Sequence, residues 1–292
     1  MNRFFLSAIT AILMIAAQII ERPPTMTPTP FPYPEPRMVL TDDVIDHMHE
    51  IYALGQRLGN RSGVFSKIGD SITVSYQFLY PFGMGQYALG RYTDLEPIID
   101  YFGRVNARDG NSFVNPSLAA HVGWTAYAAI DPNNADPDEC APDETPLVCE
   151  YRLVRPSVAL IMFGTNDAGF ADLSAFRYNM RRIVQISLGM GVIPVISTIP
   201  NRPTAAANVI DFNDAIREIA EELHVPLWDY HAALDSLPDQ GLAADNVHPS
   251  YPPTDEATTT NFRPPYLDYG YNVRNLTALE MLYAVWWHTQ VG

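Results

Sequence analysis

Apolar positions near the start of the folded part recur with a helical period. Val44, Ile45, Met48, Ile51, Tyr52 and Leu58 follow one another at that spacing, Asp42 and Asp43 occupy the first turn after Thr41, and Gly59 follows the last of them. This spacing predicts a capped amphipathic helix. His47 and His49 lie two positions apart on it, hence on different faces, and read as surface residues rather than ligands. The pattern then changes. Residues 64–68 read as a short buried strand running into Gly69-Asp70-Ser71, residues 158–163 and 192–197 are longer apolar runs, each followed by a polar turn, and residues 225–228 are a fourth. Helical patterns fill the intervals at 172–188, 205–223 and 273–290. Strands that are apolar on both faces and alternate with helices imply a parallel sheet covered on two sides, a three-layer α/β class. Ligands of such sheets bind at the carboxyl ends of the strands, so chemistry is to be sought in the turns that follow them.

The N-terminus carries a different signal. Arg3 precedes an uncharged run over residues 4–20 that ends at Glu21 and Arg22. Residues 1–22 therefore read as an export signal, either a cleaved signal peptide or a retained membrane anchor, because the run only just reaches bilayer length. Residues 15–17 are a mediocre cleavage site, and no cysteine lies close enough to indicate lipid attachment. Residues 23–37 are rich in proline and threonine, a composition that favours extended geometry and forms a stalk rather than a core. The folded domain is expected over 38–292, outside the cytoplasm. Cys140 and Cys149, the only cysteines, are expected to pair, since an exporting route ends in an oxidising compartment. A zinc site would need two further ligands, and none sits nearby at metal spacing.

Charge narrows the partners. Eighteen basic against 33 acidic side chains leave a net charge of −15, which repels phosphate backbones and anionic lipid headgroups. Nucleic acid is excluded as a first expectation, and a neutral or cationic substrate is favoured. With 47% apolar and 17% charged residues the chain is neither disordered nor collagen-like, and it is long enough for one large core.

Four short segments stand at strand ends or in late loops: Gly69-Asp70-Ser71-Ile72, a glycine at 123, Gly164-Thr165-Asn166-Asp167, and Asp245-Asn246-Val247-His248-Pro249. Each alone is an ordinary turn or cap. Their order along the chain resembles that of the SGNH (GDSL) hydrolase superfamily, from residue 64 to the C-terminus. The resemblance implies a flavodoxin-like α/β/α fold with a central parallel sheet and a serine esterase without a cofactor. It implies Ser71 as nucleophile, with Asp245 and His248 completing a triad. It also implies an oxyanion hole made by the Ser71 amide, a glycine amide and the Asn166 side chain. Three of the four motifs match closely. For the glycine, Gly103, Gly110 and Gly123 compete; Gly123 is preferred because residues 118–122 can form a short strand and 124–130 a following helix. The long spacing between Ser71 and Asn166 is attributed to insertions, the cysteine-bearing segment among them.

The residue chemistry agrees with these roles. A serine hydroxyl is a poor nucleophile near neutrality and needs a base, which an imidazole supplies. Asp245, three residues before His248, can reach the other ring nitrogen, fix the tautomer and stabilise the imidazolium. Asn166 donates without titrating. Asp70 and Asp167 are expected to form turns rather than act as acids. A histidine base implies hydrolysis that declines as the imidazole gains its proton, near or somewhat below neutral pH.

Other motifs compete with this reading. Residues 83–88 fit the dinucleotide fingerprint in letters, but Pro81 sits where a central strand would have to end. Asp131, Asn133, Asp136 and Asp138 can in principle collect calcium, yet they lack the glycine that an EF-hand loop needs at 136, and a solvated acidic loop is the plainer reading. No Gly-x-Ser-x-Gly elbow and no His-Glu-x-x-His occurs. Asn60 and Asn275 begin glycosylation sequons. Aromatic clusters follow the serine (Tyr76, Phe78, Tyr80, Phe82, Tyr87) and the histidine (Tyr251, Phe262, Tyr266, Tyr269, Tyr271), and they line a cleft or pack loops. Trp228, Trp286 and Trp287 read as packing residues. The expected activity is hydrolysis of carboxylic esters, with acetyl or short-chain esters of carbohydrates in view. The rivals are a glycan O-acyltransferase, a lysophospholipase-type lipase and a non-catalytic cell-surface binding module.

Overall fold

Thr41 and Gly59 act as the sequence predicts. Thr41 Oγ1 accepts from the Val44 amide, Gly59 takes the left-handed conformation at φ 86°, and helix α1 runs between them over Asp42–Leu58. The structure is a computed structural model that describes residues 38–253 and 259–291. The expected export signal and stalk lie outside the described residues. All the described residues belong to one compact unit.

Five strands form one sheet: β1 (Met38–Val39), β2 (Arg61–Gly69), β3 (Pro156–Met162), β4 (Ile193–Ser197) and β5 (Leu227–Trp228), in the order β1-β5-β4-β3-β2. Strands β2 to β5 pair in parallel, as expected for runs that are buried on both faces. The edge differs from expectation, because β1 pairs antiparallel with β5 and makes the sheet mixed. The fourth apolar run also yields a shorter strand than its letters suggest. Val225 gives its amide to the Ala220 carbonyl to close a helix, and Pro226 has no N–H to give.

The helices are α2 (Ser71–Val74), α3 (Tyr80–Gly83), α4 (Glu96–Gly103), α5 (Pro146–Val154), α6 (Asp167–Phe170), α7 (Leu173–Gly189), α8 (Ala206–Glu222), α9 (Tyr230–Leu234) and α10 (Gly270–Trp286). Alternation along β2 sorts them into two layers. Phe65 points to α4, where it meets Phe102 edge-on at 5.2 Å, whereas Ser66 points the other way and donates to Glu150 of α5 at 2.7 Å. Helices α1, α4 and α10 cover the first face and α5, α7 and α8 the second, giving the three-layer α/β/α arrangement. The α7–α8 seam is closed by Phe176 stacked on Phe212 at 4.5 Å. Trp228 is fully buried and its Nε1 donates to Thr277 of α10 at 2.9 Å. Trp286 and Trp287 pack against Tyr283.

The strand expected over 118–122 is reduced to one parallel bridge between Gly69 and Ala120. Its amides are diverted: Leu118 N donates to Glu150 Oε2 and Ala119 N to Ser117 Oγ, which leaves too few for a ladder. The helix expected over 124–130 is likewise only a 3₁₀ turn at Ala128–Ile130, because the Asp167 carboxylate takes the Ala126 amide. With this bridge counted outside β2, the strand order reverses between β2 and β3. That is the flavodoxin-like topology, whose crevice opens at this reversal beyond the carboxyl ends of the strands.

The insertion between β2 and β3 carries the disulfide Cys140–Cys149. It staples an acidic loop to the first turns of α5, and in the chain-entropy account closing a loop of this length stabilises by about 2–3 kcal/mol. Cys140→Ser is expected to lower the unfolding free energy by about that amount while leaving ester turnover in place, as read by urea denaturation and an aryl-ester assay. The suspected calcium ligands instead close local turns: Asp131 Oδ1 accepts from the Asn133 amide, and Asp136 Oδ1 from the Asp138 amide. The dinucleotide-like segment begins on the last residue of α3, Gly83, and not after a strand. Asn275 is fully buried, donates to the Gln77 and Thr259 carbonyls and accepts from Leu79 N, so its sequon is closed in the folded chain.

Candidate active site

The turn after β2 leaves no room for a side chain at its first position. A Cβ on Gly69 would come within 2.3 Å of Thr73 Oγ1 and 2.6 Å of the Met162 carbonyl oxygen, so only glycine lets α2 start hard against the end of β3. Asp70 is the N-cap of α2, its Oδ1 accepting from Ile72 N at 2.9 Å, and this sets Ser71 at the first helical position.

On the late loop, Leu242 and Pro249 bridge antiparallel, Ala243 N donates to the His248 carbonyl, and Ser250 N donates to that of Gly241. Inside this narrow loop Asp245 Oδ1 accepts from the amides of Val247 and His248 at 3.0 Å each, a local Asx turn that freezes the carboxylate. Its Oδ2 lies 2.7 Å from His248 Nδ1, and His248 Nε2 lies 2.9 Å from Ser71 Oγ. A carboxylate only accepts, so the ring carries its proton on Nδ1 and presents a bare Nε2 to the hydroxyl. This arrangement can take the hydroxyl proton onto the ring and hold the resulting imidazolium. Partial burial pushes the Asp245 carboxyl up, but the amides of His248 and Val247 and the His248 ring together hold it below the ordinary range, so it is charged near neutrality.

Asn166 stands just past β3, and its Nδ2 donates to the Trp124 carbonyl at 2.9 Å, leaving a second N–H on the same nitrogen. Trp124 follows Gly123, which sits at φ 79° in the turn closed by Trp124 N on the His121 carbonyl. Nothing crowds a Cβ at Gly123, so the left-handed backbone is what favours glycine there. Its neighbour Val122 lines the same cleft as Ser71 and His248, together with Leu242, Tyr251 and Tyr271; the cleft holds about 760 Å³. Of the competing glycines, Gly103 ends α4 and Gly110 closes a turn with Ala107.

Behind Ser71 lies a buried polar layer. Burial pushes the Asp70 carboxyl up to about 6 against the Ile72 amide and the charges of Arg274 and His248, and its Oδ2 has no hydrogen-bond partner. Burial likewise pushes Asp167 up to about 6, opposed by the Ala126 amide that its carboxylate accepts. Asp70 caps its own turn into α2, whereas Asp167 ties down the amide of Ala126 from 41 positions away. Sequence reading did not find Arg274, which reaches in from α10, donates to Thr73 Oγ1 at 3.1 Å and stacks its guanidinium 4.0 Å from the Phe78 ring centre. Nor did it find Lys67, buried in β2 with its Nζ donating to the Phe113 carbonyl at 2.7 Å. The available signal was a cation set beside an apolar neighbour, Lys67 before Ile68 and Arg274 after Val273. The aromatic clusters divide: Phe78, Phe82 and Phe262 are core, Tyr251 and Tyr271 line the cleft, and Tyr76 and Tyr80 meet edge-on at 4.8 Å near the surface.

The profile of the GDSL-like Lipase/Acylhydrolase family matches residues 68–251, a span that holds Ser71, Gly123, Asn166, Asp245 and His248. No curated protein matches the chain. Solved structures similar to it include the psychrotrophic esterase EstA of Pseudoalteromonas sp., at 15% identity and TM-score 0.44 over 64% of this chain and 88% of that one. The lipase/acylhydrolase of Enterococcus faecalis is similar at 17% identity and TM-score 0.46 over 76% and 94%. Axe2, an acetylxylan esterase of Geobacillus stearothermophilus, is similar at 17% identity and TM-score 0.46 over 76% and 94%.

Proposed function

The chain belongs to the GDSL-like lipase/acylhydrolase family, and from that premise we propose that it is an exported serine esterase that hydrolyses acetyl or other short-chain esters of carbohydrates through an acyl-enzyme. The observation that carries the reading is the continuous relay from Ser71 Oγ through the His248 ring to Asp245, at 2.9 and 2.7 Å, opening into one cleft. Ser71 Oγ attacks the ester carbonyl as His248 Nε2 takes its proton, and Asp245 stabilises the imidazolium that forms. The oxyanion then meets the Ser71 and Gly123 amides and the spare N–H of Asn166. Collapse of the tetrahedral species expels the alcohol, which receives the proton from His248. Water, activated by the same ring, releases the acid and restores the serine.

Export is supported by the basic residue and uncharged run at the N-terminus, the proline-rich stretch after it, and a disulfide suited to an oxidising compartment. A fluorophosphonate probe is expected to label Ser71 and to abolish turnover of a short-chain aryl ester; a labelled peptide lacking Ser71, or full turnover after labelling, overturns the assignment. Asn166→Ala removes one oxyanion donor and is expected to lower kcat by about 10²–10³ with little change in KM. Steady-state kinetics on the aryl ester check this.

A further inference from the structure

A second cavity of about 430 Å³ adjoins the catalytic cleft, and the two share Val74 and Ser75 as a common wall. Its lining is unlike that of an acyl-chain tunnel. Lys67 forms its floor, a side chain more than nine-tenths buried that spends one of three N–H donors on the Phe113 carbonyl. Asp109 lines the opposite sign: one carboxylate oxygen accepts from Arg108 Nε at 2.9 Å, and the other remains as an acceptor. Asn115 and Ser117 complete the polar wall, and the rings of Tyr76 and Tyr80 stand at the rim. Asn115 is already committed, its Oδ1 accepting from the amides of Arg108 and Asp109, so it fixes the loop that carries Asp109.

We infer that this cavity is the alcohol-side subsite and that it takes one neutral sugar ring of the ester, whose hydroxyls accept from Lys67 and donate to Asp109 while Tyr76 or Tyr80 covers the ring's C–H face. This deepens the esterase reading and rests on it. Three observations select the ligand class. A donor and an acceptor of full charge in one cavity match hydroxyl groups, which do both; a carboxylated or sulfated sugar would meet Asp109 and a chain of net charge −15. An acyl chain would cover the spare donors of Lys67 and the second carboxylate oxygen of Asp109 without pairing them, which is costlier than leaving them to water. The shared wall puts a ring in this cavity beside the cleft where the ester carbonyl must lie. Burial lowers the Lys67 ammonium to about 8, opposed by Glu150, which leaves it charged near neutrality.

The test compares kcat/KM for a mono-O-acetylated methyl glucoside with that for a short aryl acetate, which has no sugar. Tyr76→Ala and Asp109→Asn, both at exposed positions, and Lys67→Met are each expected to lower the ratio of the two by about tenfold or more, through KM for the sugar ester. Tyr178→Ala, on the exposed side of α7, is expected to leave the ratio where it is. A ratio unmoved in Tyr76→Ala and Asp109→Asn overturns the subsite even if Lys67→Met fails to fold. So does a wild-type enzyme that turns over the aryl acetate and not the sugar ester, with the esterase reading intact. A wild type that turns over neither ester sinks that reading itself.

Discussion

Ser71→Ala is expected to lower kcat/KM on a short-chain aryl ester by about 10⁴-fold or more, and His248→Ala by a similar factor. The reason is geometric. The hydroxyl and the ring are one proton-transfer unit at 2.9 Å, so either deletion leaves only binding and oxyanion stabilisation. The double variant is therefore expected to be no slower than the worse single one. Kinetics of the three variants, with thermal melts to confirm that each folds, check the claim. Losses that multiply in the double variant would mean that the two residues act independently, and full activity in Ser71→Ala would remove the serine from the chemistry.

Stability is expected to increase as pH falls from about 7 to about 4, the reverse of ordinary acid denaturation. Asp70 and Asp167 each rise on folding from an ordinary carboxyl value of 3.8 to about 6, chiefly through burial. Between those values the folded chain binds more protons than the unfolded one, so unfolding free energy declines as pH rises. The contribution of each group is fully present below about 4 and lost above about 6, roughly 3 kcal/mol apiece. Glu150, also buried and also raised, works in the same direction. His288, held low by burial and by His49, opposes them within this window, and Asp245 and Glu144, also held low, exert their opposite effect mainly at more acid pH. Urea denaturation at about pH 4 and about pH 7 measures the slope. Asp70→Asn and Asp167→Asn keep an oxygen for the Ile72 and Ala126 amides and should each flatten it; a wild-type slope in both variants, or a fall in stability across the window, refutes the linkage.

The two cations that shape this site teach why sequence reading stops where it does. Lys67 sits in a strand read correctly as buried and Arg274 in a segment read correctly as a helix, but periodicity only says which positions face inward. It does not say that a cation there meets a cavity or an aromatic stack, because those neighbours come from residues 46 and 196 positions away along the chain, Phe113 and Phe78. The expected strand at 118–122 fails for a related reason: Glu150, 32 residues on, competes for the Leu118 amide.

The sequence by itself determined the α/β class, the capped helix α1, four strand positions and the motifs that hold Ser71, Asn166, Asp245 and His248, because local periodicity, capping chemistry and turn-forming residues act over a few neighbours. Only the tertiary structure decided that Asp245 and His248 close on Ser71, that the sheet has an antiparallel edge, and that a lysine-floored cavity shares a wall with the cleft. Those outcomes depend on where the crossover between β2 and β3 puts groups far apart in the chain, and no local pattern encodes that distance.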